Sequence, residues 1–378
     1  MIATASFGLE AVVARELKDL GYERQSVADG RVTFVAEEPA VCRTNLWLRS
    51  SDRVLLKVGS FEARDFGELF DQTAALDWAR WIPVDGQFPV RGKSVRSQLH
   101  SVRDCQAIVK KAIVEKLKQT HRTPWFAEQG ALFGVEVSVL KDLVTLTIDT
   151  TGPGLHKRGY RTLVGPAPLK ETLAAALVQL SFWKRERPFL DPFCGTGTIP
   201  IEAALLGRNR APGIDRTFAA EEWPAIPKRL WHEARTEARD AAVRGGTLSI
   251  FGSDNDDASL SMARRHARNA GVEADIRFEC RPFADAAPHA DFGCLICNPP
   301  YGERSGDVGE AEDLARQAAA VFRRFNTWSL YVLSALTNFE RLCQRSADRR
   351  RKLYNGRIAC TFYQFHGPRP QESQIVKL

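Results

Sequence analysis

The first 60 residues alternate short apolar runs with helical patterns. Apolar residues recur at helical spacing from Leu9 to Leu20, and Gly21 follows them as a natural end for that helix. The other runs have the lengths of strands and of one further helix. The predicted strands are Ile2–Ser6, Val32–Val35 and Val54–Val58, and the second predicted helix spans Ala40–Leu48. This order predicts a small α+β unit over residues 1–60, too small to be the catalytic body.

A second α+β pattern occupies residues 61–152. Two apolar runs, Val135–Leu140 and Leu143–Asp149, predict a pair of neighbouring strands. Before them, the apolar residues between Val109 and Leu117 lie at helical spacing and predict an amphipathic helix. Residues 151–165 then contain four glycines and one proline, a composition typical of a linker, which we place at 153–165.

From residue 166 to residue 378, helical and strand patterns alternate as a doubly wound α/β domain requires. The predicted strands are Arg187–Asp191, Leu248–Asp254, Ala274–Glu279, Asp291–Asn298 and Trp328–Leu333. The segment Arg208–Arg244 is longer than a simple crossover needs, and its prolines and tryptophans predict an inserted helical piece. The predicted fold class is therefore α/β, a Rossmann-like domain preceded by an α+β region.

Composition and charge indicate the compartment of the protein and the class of partner that it binds. Its 378 residues carry a formal net charge of +7 with a pI of about 9.0, which fits a polyanionic partner. Eight cysteines have no framework spacing, as expected for reduced thiols, and the start lacks the basic and apolar regions of a signal peptide. No apolar run is long enough to span a membrane. We therefore expect a cytoplasmic protein without a membrane partner.

The densest basic stretch is Arg91–Lys118, where eight Lys and Arg residues against Asp104 and Glu115 leave a local net charge of +6. A solvated helix face would give the same pattern. A nucleic-acid contact is favoured by Phe88–Ser94, which predicts a basic turn whose Gly92 could bring backbone N–H groups to a phosphate. The candidate RNA-binding residues are Arg91, Lys93, Arg96, Lys110 and Lys111.

The segment from Phe189 to Pro200 predicts a strand, a glycine loop and the start of a helix. Such a loop lets a ligand approach the backbone closely, and Pro200 stands where a dinucleotide fingerprint has its third glycine. An aspartate at the strand end, then Pro-Phe and Gly-x-Gly, is typical of an S-adenosylmethionine loop, in which Asp191 faces the ammonium of the ligand. A ligand-free tight turn is the alternative. The candidate cofactor contacts are Asp191, Phe193, Cys194, Gly195, Thr196, Gly197 and Thr198.

Acidic residues also end the next two predicted strands. Asp254, followed by Asn255, can accept hydrogen bonds from both ribose hydroxyls of a nucleoside. Phe283 can cover the adenine ring, and Asp285 can accept from the adenine amino group. Either acid alone would suit a helix cap, but successive strand ends meet at the same edge of a parallel sheet.

The most specific signal is Asn298-Pro-Pro-Tyr301 at the end of a fourth predicted strand. A planar amino group on a base is a poor nucleophile because its lone pair is delocalised into the ring. The side-chain oxygen of Asn298 and the backbone carbonyl of Pro299 can each accept one amino hydrogen, which stabilises the developing positive charge. Tyr301 offers a flat face for an unstacked base. These three residues are the candidate catalytic group.

Three further features of the sequence could suggest an additional functional site, but each has a simpler structural interpretation. Cys294 and Cys297 have metal-ligand spacing but lie in an apolar run without a second pair, which predicts buried structural thiols. Seven histidines follow no zinc pattern, so we expect no metal. Arg349–Lys352 predicts a solvated turn, with an RNA contact as the alternative.

These motifs resemble the THUMP-containing ribosomal RNA guanine-N2 methyltransferases, the large-subunit type formerly named N6-adenine DNA methylases. The resemblance extends over essentially the whole chain. It rests on Ala3–Glu10, Phe88–Ser94, Val109–Val114, His156–Arg161, Pro168–Thr172, Asp191–Gly197 and Asn298–Arg304. Lys170, within the fifth of these segments, is a further candidate cofactor contact. The longest members have a second methyltransferase domain that has no counterpart here, so a second modification activity lacks support.

The resemblance implies a ferredoxin-like piece and a THUMP domain that bind RNA, a seven-stranded catalytic domain, and guanine N2 as the target. The expected cofactor is S-adenosylmethionine, with S-adenosylhomocysteine as product, and the expected partner is structured RNA of ribosomal origin. The alternatives are an N6-adenine methyltransferase of DNA or RNA and a guanine-N2 methyltransferase of tRNA. A non-catalytic RNA-binding factor would require degraded motifs, and a nicotinamide oxidoreductase lacks its third glycine.

Overall fold

The computed structural model describes residues 1–162, 169–300 and 308–369, which form two sheets of seven strands each. The first sheet has the order β2-β3-β1-β4-β7-β6-β5. Its strands are β1 (Ile2–Ala5), β2 (Gln25–Ala28), β3 (Arg31–Phe34), β4 (Ser51–Glu62), β5 (Val90–Val95), β6 (Gly134–Leu140) and β7 (Leu143–Asp149). Its helices are α1 (Glu10–Asp19), α2 (Pro39–Trp47), α3 (Phe66–Ala74) and α4 (Val102–His121), with a short 3₁₀ helix at Trp78–Arg80.

The long strand β4 joins the two N-terminal units. It pairs antiparallel with β1 through Val54 and Leu55 and with β7 from Leu55 to Glu62. The boundary that the sequence predicts at residue 60 therefore lies within a strand, and both units share one sheet. Their apolar residues accordingly form one continuous core.

The sequence prediction of a basic turn at Phe88–Ser94 is wrong, because this segment leads into β5. That strand pairs in parallel with β6 at the edge of the sheet. Gly92 lies against α4 and β6, where an added Cβ would come within 3.0 Å of Gln106 and 3.2 Å of Val137. The glycine thus allows a helix to pack closely on the strand, and its backbone takes part in the sheet instead of facing a phosphate.

The second sheet has the order β10-β9-β8-β11-β12-β14-β13. Its strands are β8 (Phe189–Asp191), β9 (Ile250–Asp254), β10 (Ile276–Cys280), β11 (Cys294–Cys297), β12 (Ser329–Ser334), β13 (Arg349–Asn355) and β14 (Ile358–Phe365). Helices α5 (Glu171–Leu180), α6 (Thr198–Gly207), α7 (Lys228–Asp240), α8 (Asp257–Asn269), α9 (Val308–Phe322) and α10 (Phe339–Leu342) accompany it, with 3₁₀ helices at Ala219–Glu222, Glu273–Asp275 and Phe283–Asp285.

Strands β8 to β12 run parallel, β14 runs antiparallel to β12, and β13 runs antiparallel to β14. The order reverses on either side of β8, so the crevice at the carboxyl ends of β8, β9 and β11 is the place where an open α/β sheet binds ligands. The Rossmann-like fold predicted from the sequence is therefore confirmed. The predicted turn at Arg349–Lys352 is wrong, because these residues begin the edge strand β13.

The large apolar side chains of the inserted segment between α6 and β9 pack into the N-terminal core. Trp223 stacks on Phe133 with ring centroids 4.8 Å apart and donates its indole N–H to the Leu132 carbonyl. Trp231 stacks on Phe218 at 5.4 Å. The insertion therefore ties the catalytic domain to the N-terminal region by apolar burial.

A buried polar network makes a second connection between the two parts. Arg158, which precedes the catalytic domain, lies 3.4 Å from the carboxylate of Glu202 on α6, and both side chains are almost completely buried. Tyr160 donates to the same carboxylate, and Arg158 also donates to the backbone carbonyl of Arg49. The carboxylate of Glu16 on α1 accepts the backbone N–H groups of Arg49 and Ser50 and the side chain of Gln179 on α5.

Candidate active site

A cavity of about 560 Å³ opens at the carboxyl ends of β8, β9 and β11. This volume lies within the range of pockets that bind small ligands. Its wall contains most of the residues that the sequence singled out. They are Asp191, Phe193, Cys194, Gly195, Thr196, Thr198, Asp254, Asn255, Phe283 and Asn298.

The glycine loop between β8 and α6 forms the floor of this cavity. Gly195 and Gly197 have φ angles of +49° and +85°, in the left-handed region that favours glycine. An added Cβ on Gly197 would come within 3.0 Å of Ala263, whereas one on Gly195 would meet no atom within 4 Å. Gly197 precedes the first turn of α6, so the N-terminus of that helix points at the cavity.

Asp191 lies at the end of β8 and is only 1% exposed. Its carboxylate accepts the backbone N–H of Phe193 at 3.0 Å. Burial raises the pKa of Asp191 well above its usual value, and the nearby Asp254 carboxylate acts in the same direction. A cation that entered the cavity would stabilise the ionised form of Asp191, so this end of the cavity is suited to a positively charged group.

Asp254 organises the loop at the end of β9. Its Oδ2 accepts the backbone N–H of Gly195 at 2.8 Å, and its Oδ1 accepts that of Asp256 at 3.1 Å. Each carboxylate oxygen can accept more than one hydrogen bond, so the side chain can still bind hydroxyl groups in the cavity. Asn255 follows it in the cavity wall.

Three predicted cofactor residues, Gly197, Asp285 and Lys170, do not lie in the cavity wall. Phe283, by contrast, does lie in the cavity wall. It is buried against Phe193, with ring centroids 4.6 Å apart, and forms an apolar surface for a flat ring. Asp285, however, is exposed, and the wall continues through Ala284 instead. Lys170 is exposed at the start of α5, and its neighbour Leu169 provides the contact.

Asn298 follows β11 and has a buried side-chain oxygen. No donor within the described residues lies within hydrogen-bond distance of this Oδ1 atom. Pro299 is buried beside it, and Pro300 is exposed and lines the cavity. Tyr301, the third candidate catalytic residue, lies outside the described residues.

The sequence motifs missed part of the wall. Ser259 and Met262 of α8 and Leu314 and Gln317 of α9 also line the cavity. These residues belong to helices that follow the motif strands, and their helical spacing carries no functional signal. Only the fold brings them into the cavity wall.

Comparisons with known proteins agree with this architecture. The profile described as the RMKL-like methyltransferase domain matches residues 158–364, while the profiles of the RlmL ferredoxin-like domain and the THUMP domain match residues 1–55 and 63–149. YpsC of Bacillus subtilis (strain 168), a predicted RNA methyltransferase, is 49% identical over 99% of this chain and 98% of its own. This chain belongs to the RMKL-like methyltransferase family.

Two solved structures are similar to this chain both in sequence and in three-dimensional fold. A predicted N6-adenine-specific DNA methylase from Listeria monocytogenes str. 4b F2365 is 49% identical, with a TM-score of 0.93 over 97% of this methyltransferase and 96% of that chain. SMU.472, a predicted methyltransferase in complex with S-adenosylhomocysteine (SAH), is 44% identical, with a TM-score of 0.93 over 98% of each chain.

Three cysteines near the site of this methyltransferase are buried thiols. Cys294 and Cys297 are buried in β11 and form no disulfide, as the sequence predicts. Burial raises the pKa of Cys294 to about 12 and that of Cys297 well above its usual value, so both thiols stay protonated. Cys194 in the glycine loop is also buried, and its pKa is raised for the same reason.

The five candidate RNA-binding residues of this methyltransferase divide into two groups. Arg91, Lys93 and Arg96 are exposed along and just after the edge strand β5, although Lys93 pairs with Glu136 at 2.8 Å. Lys110 is half-buried on α4, where its ammonium bonds Glu128 at 2.7 Å and lies 3.4 Å from the ring centroid of Phe88. Lys111 is exposed, 5.8 Å from the ring centroid of Phe70.

Lys110 therefore differs from the other four. Its ammonium also donates to the backbone carbonyl of Phe88 at 3.2 Å, so its three donors are directed at groups of the protein itself. We conclude that Lys110 supports the THUMP domain, and that its assignment to a phosphate is not supported by its contacts. None of the described helices is long and apolar enough to cross a membrane.

Proposed function

We propose that this methyltransferase transfers the methyl group of S-adenosylmethionine to the exocyclic N2 amine of a guanine in ribosomal RNA. The observation that carries this proposal is the buried Oδ1 atom of Asn298, which has no donor among the described residues and belongs to a residue that lines the cavity. A buried acceptor without a donor costs about 1–3 kcal/mol. An amino group presented by the substrate would satisfy it.

The charges of the cavity fit the proposed cofactor. Asp191 suits the ammonium of its amino-acid part, Asp254 suits the ribose hydroxyls, and Phe283 with Phe193 suits a flat adenine ring. The related SMU.472 was solved with SAH, the product that this cofactor leaves behind. When bound, the cofactor would supply an electrophilic methyl group.

The role of the protein in the reaction is to make the amino nitrogen a better nucleophile. Attack of the nitrogen on the methyl carbon would draw its lone pair out of the ring and develop positive charge on the amino group, while the methyl–sulfur bond breaks to leave SAH. Asn298 Oδ1 and the backbone carbonyl of Pro299 are proposed to accept the two N–H groups and to stabilise this charge. The proline rings fix their own φ angles, so the acceptors need little reorganisation. The methylated amine would then lose one N–H proton to water.

RNA is favoured as the substrate by the N-terminal region. The THUMP match at residues 63–149 and the exposed Arg91 and Arg96 support a polyanion that is recognised outside the catalytic domain. The likeness to YpsC, a predicted RNA methyltransferase, points the same way. The second candidate is N6-methylation of adenine, which the name of the Listeria structure suggests and which the Asn298 chemistry would also serve.

Substitution of Asn298 tests the proposed chemistry. Asn298→Ala should lower kcat by about 10²-fold or more while cofactor affinity stays within about twofold, because the hydrogen bond that it removes is made to the amine. Asn255→Ala serves as a control, since Asn255 lies on the cofactor side of the cavity and should affect KM for the cofactor. Full activity of Asn298→Ala would refute the assignment.

A further inference from the structure

An aromatic and basic surface lies at the free edge of the catalytic sheet, where the sequence predicts a solvated turn with an RNA contact as the alternative. Its aromatic part is Phe7, which is 51% exposed, and the half-buried Tyr354 near the end of β13. Their ring centroids lie 5.8 Å apart in an edge-to-face arrangement. The ammonium of Lys352 lies 5.5 Å from the centroid of the Tyr354 ring. We call Phe7, Lys352, Tyr354 and Arg357 the edge surface.

The charge of the edge surface is not neutralised by the protein. Lys352 and Arg357 are exposed, and no carboxylate within the described ranges lies at ion-pair distance from either. Arg351 is adjacent, and burial together with the like charges of Arg349 and Arg15 lowers its pKa, while the carboxylate of Glu10 partly opposes this shift. These neighbours make the edge of β13 a concentrated positive region that is available to an anionic partner.

The loop after β1 is fixed at this edge. Arg351 donates to the backbone carbonyl of Gly8 at 3.0 Å, and the Gly8 N–H donates to Glu10 at 2.9 Å. Gly8 has a φ angle of +89°, and an added Cβ would lie 2.6 Å from the Lys352 carbonyl. The N-terminal unit thus places the ring of Phe7 beside the catalytic domain, and the edge surface is built from both.

The strand register places this surface on the catalytic side of the sheet. Ser334, at the carboxyl end of β12, pairs with Thr361, and Thr361 pairs with Lys352. Tyr354 and Arg357 lie further along the same hairpin, beyond the carboxyl end of β12. Three strand spacings separate β13 from β11, which Asn298 follows, so the distance across the sheet is about 14 Å. This corresponds to about four nucleotides of one strand in a duplex.

We propose that the edge surface binds RNA next to the target nucleotide, with an unpaired base stacked on Tyr354 or Phe7 and phosphates bound by Lys352 and Arg357. Exposed aromatic rings interleaved with unpaired basic side chains are the features by which proteins bind single-stranded RNA. A base extruded for methylation leaves unpaired neighbours of this kind. This inference rests on the proposed function and extends it to a second RNA-binding surface, separate from the THUMP domain.

Binding to RNA tests the proposal. The full-length protein is titrated with an in vitro transcript of large-subunit ribosomal RNA at several salt concentrations, and methylation is followed in parallel. Tyr354→Ala should weaken binding about fivefold or more, because a base loses its stacking partner, whereas Tyr354→Phe should bind like the wild type. Lys352→Ala with Arg357→Ala should lower the slope of log K against log salt by about 0.7 for each phosphate that the variant no longer neutralises.

The controls separate this inference from the proposed function. Lys228→Ala with Arg229→Ala removes the same charge from the exposed side of α7 and should change affinity less than twofold. Cofactor affinity and unfolding temperature should match the wild type in every variant. If the wild type methylates guanine and all edge variants bind the transcript like the wild type, the edge surface is refuted and the proposed function stands. Methylation of no RNA guanine by the wild type would refute the proposed function itself. Loss of binding to ribosomal proteins, with transcript binding intact, would also overturn the inference.

Discussion

The buried ion pair between Arg158 and Glu202 gives a quantitative prediction for the connection between the two parts of the molecule. The two side chains are 2% and 0% exposed, and Glu202 also accepts from Tyr160 at 3.2 Å. Replacement of Glu202 by alanine leaves the Arg158 charge buried without its counterion. Removal of one partner from a buried pair costs about 3–5 kcal/mol.

A second buried cation increases the effect. Burial lowers the pKa of Arg49 to about 10, and the charge of Glu202 partly opposes this shift. Both terminal nitrogens of Arg49 have no acceptor among the described residues. Glu202→Ala therefore removes a stabilising charge from two guanidinium groups. At about 2–4 °C per kcal/mol for a domain of this size, we expect the unfolding temperature to fall by about 6–20 °C.

Thermal unfolding followed by circular dichroism measures this change. Glu233→Ala is the matched control, because Glu233 forms an exposed pair with Arg229 on α7 and should change the transition by no more than about 2 °C. A double variant, Arg158→Met with Glu202→Leu, should be more stable than Glu202→Ala, since no charge is left unpaired. A Glu202→Ala protein that melts within about 2 °C of the wild type, the shift allowed for an exposed pair, would refute the argument.

Two further predictions concern the cofactor site. Asp254→Ala should lower S-adenosylmethionine affinity at least about tenfold in isothermal titration, because the variant lacks two charge-assisted acceptors, each worth about 1.5–3 kcal/mol; unchanged affinity would mean that the ribose lies elsewhere. The pKa of Asp191 is raised by burial, so its ionised form destabilises the ligand-free fold as pH rises through that pKa. Asp191→Asn should therefore raise the unfolding temperature of the ligand-free protein at alkaline pH and weaken cofactor binding, and a lower unfolding temperature there would contradict this reasoning.

The catalytic strands could be predicted because their signals are local. Strands β8, β9 and β11 are short apolar runs, and each ends in a polar residue that faces the cavity: Asp191, Asp254 and Asn298. Chain order alone places these residues at one sheet edge once the strands are taken as parallel. Asp285 and Lys170 were predicted from motif position only, and the direction of an exposed side chain cannot be inferred in that way.

The two edge strands could not be predicted from the same kind of pattern. In β5 the inward positions include Gly92 and Ser94, which are small because α4 packs closely, so the apolar alternation is missing. In β13 only Leu353 is fully buried, and the basic residues before it resemble a solvated segment. Edge strands of this kind, with charged residues on the exposed face, discourage pairing with other chains. The charged residues that discourage aggregation thus hide the apolar alternation by which a strand is recognised in a sequence.

Nucleoside analysis of methylated RNA tests the central claim most directly. The pure protein is incubated with S-adenosylmethionine carrying a labelled methyl group and with unmodified large-subunit ribosomal RNA, and the digested nucleosides are separated by mass spectrometry. We predict label in N2-methylguanosine with the wild type, and an initial rate of labelling that is lower by about 10²-fold or more with Asn298→Ala. Label in N6-methyladenosine would contradict the guanine assignment, and transfer to DNA but not to RNA would contradict the assignment of the substrate.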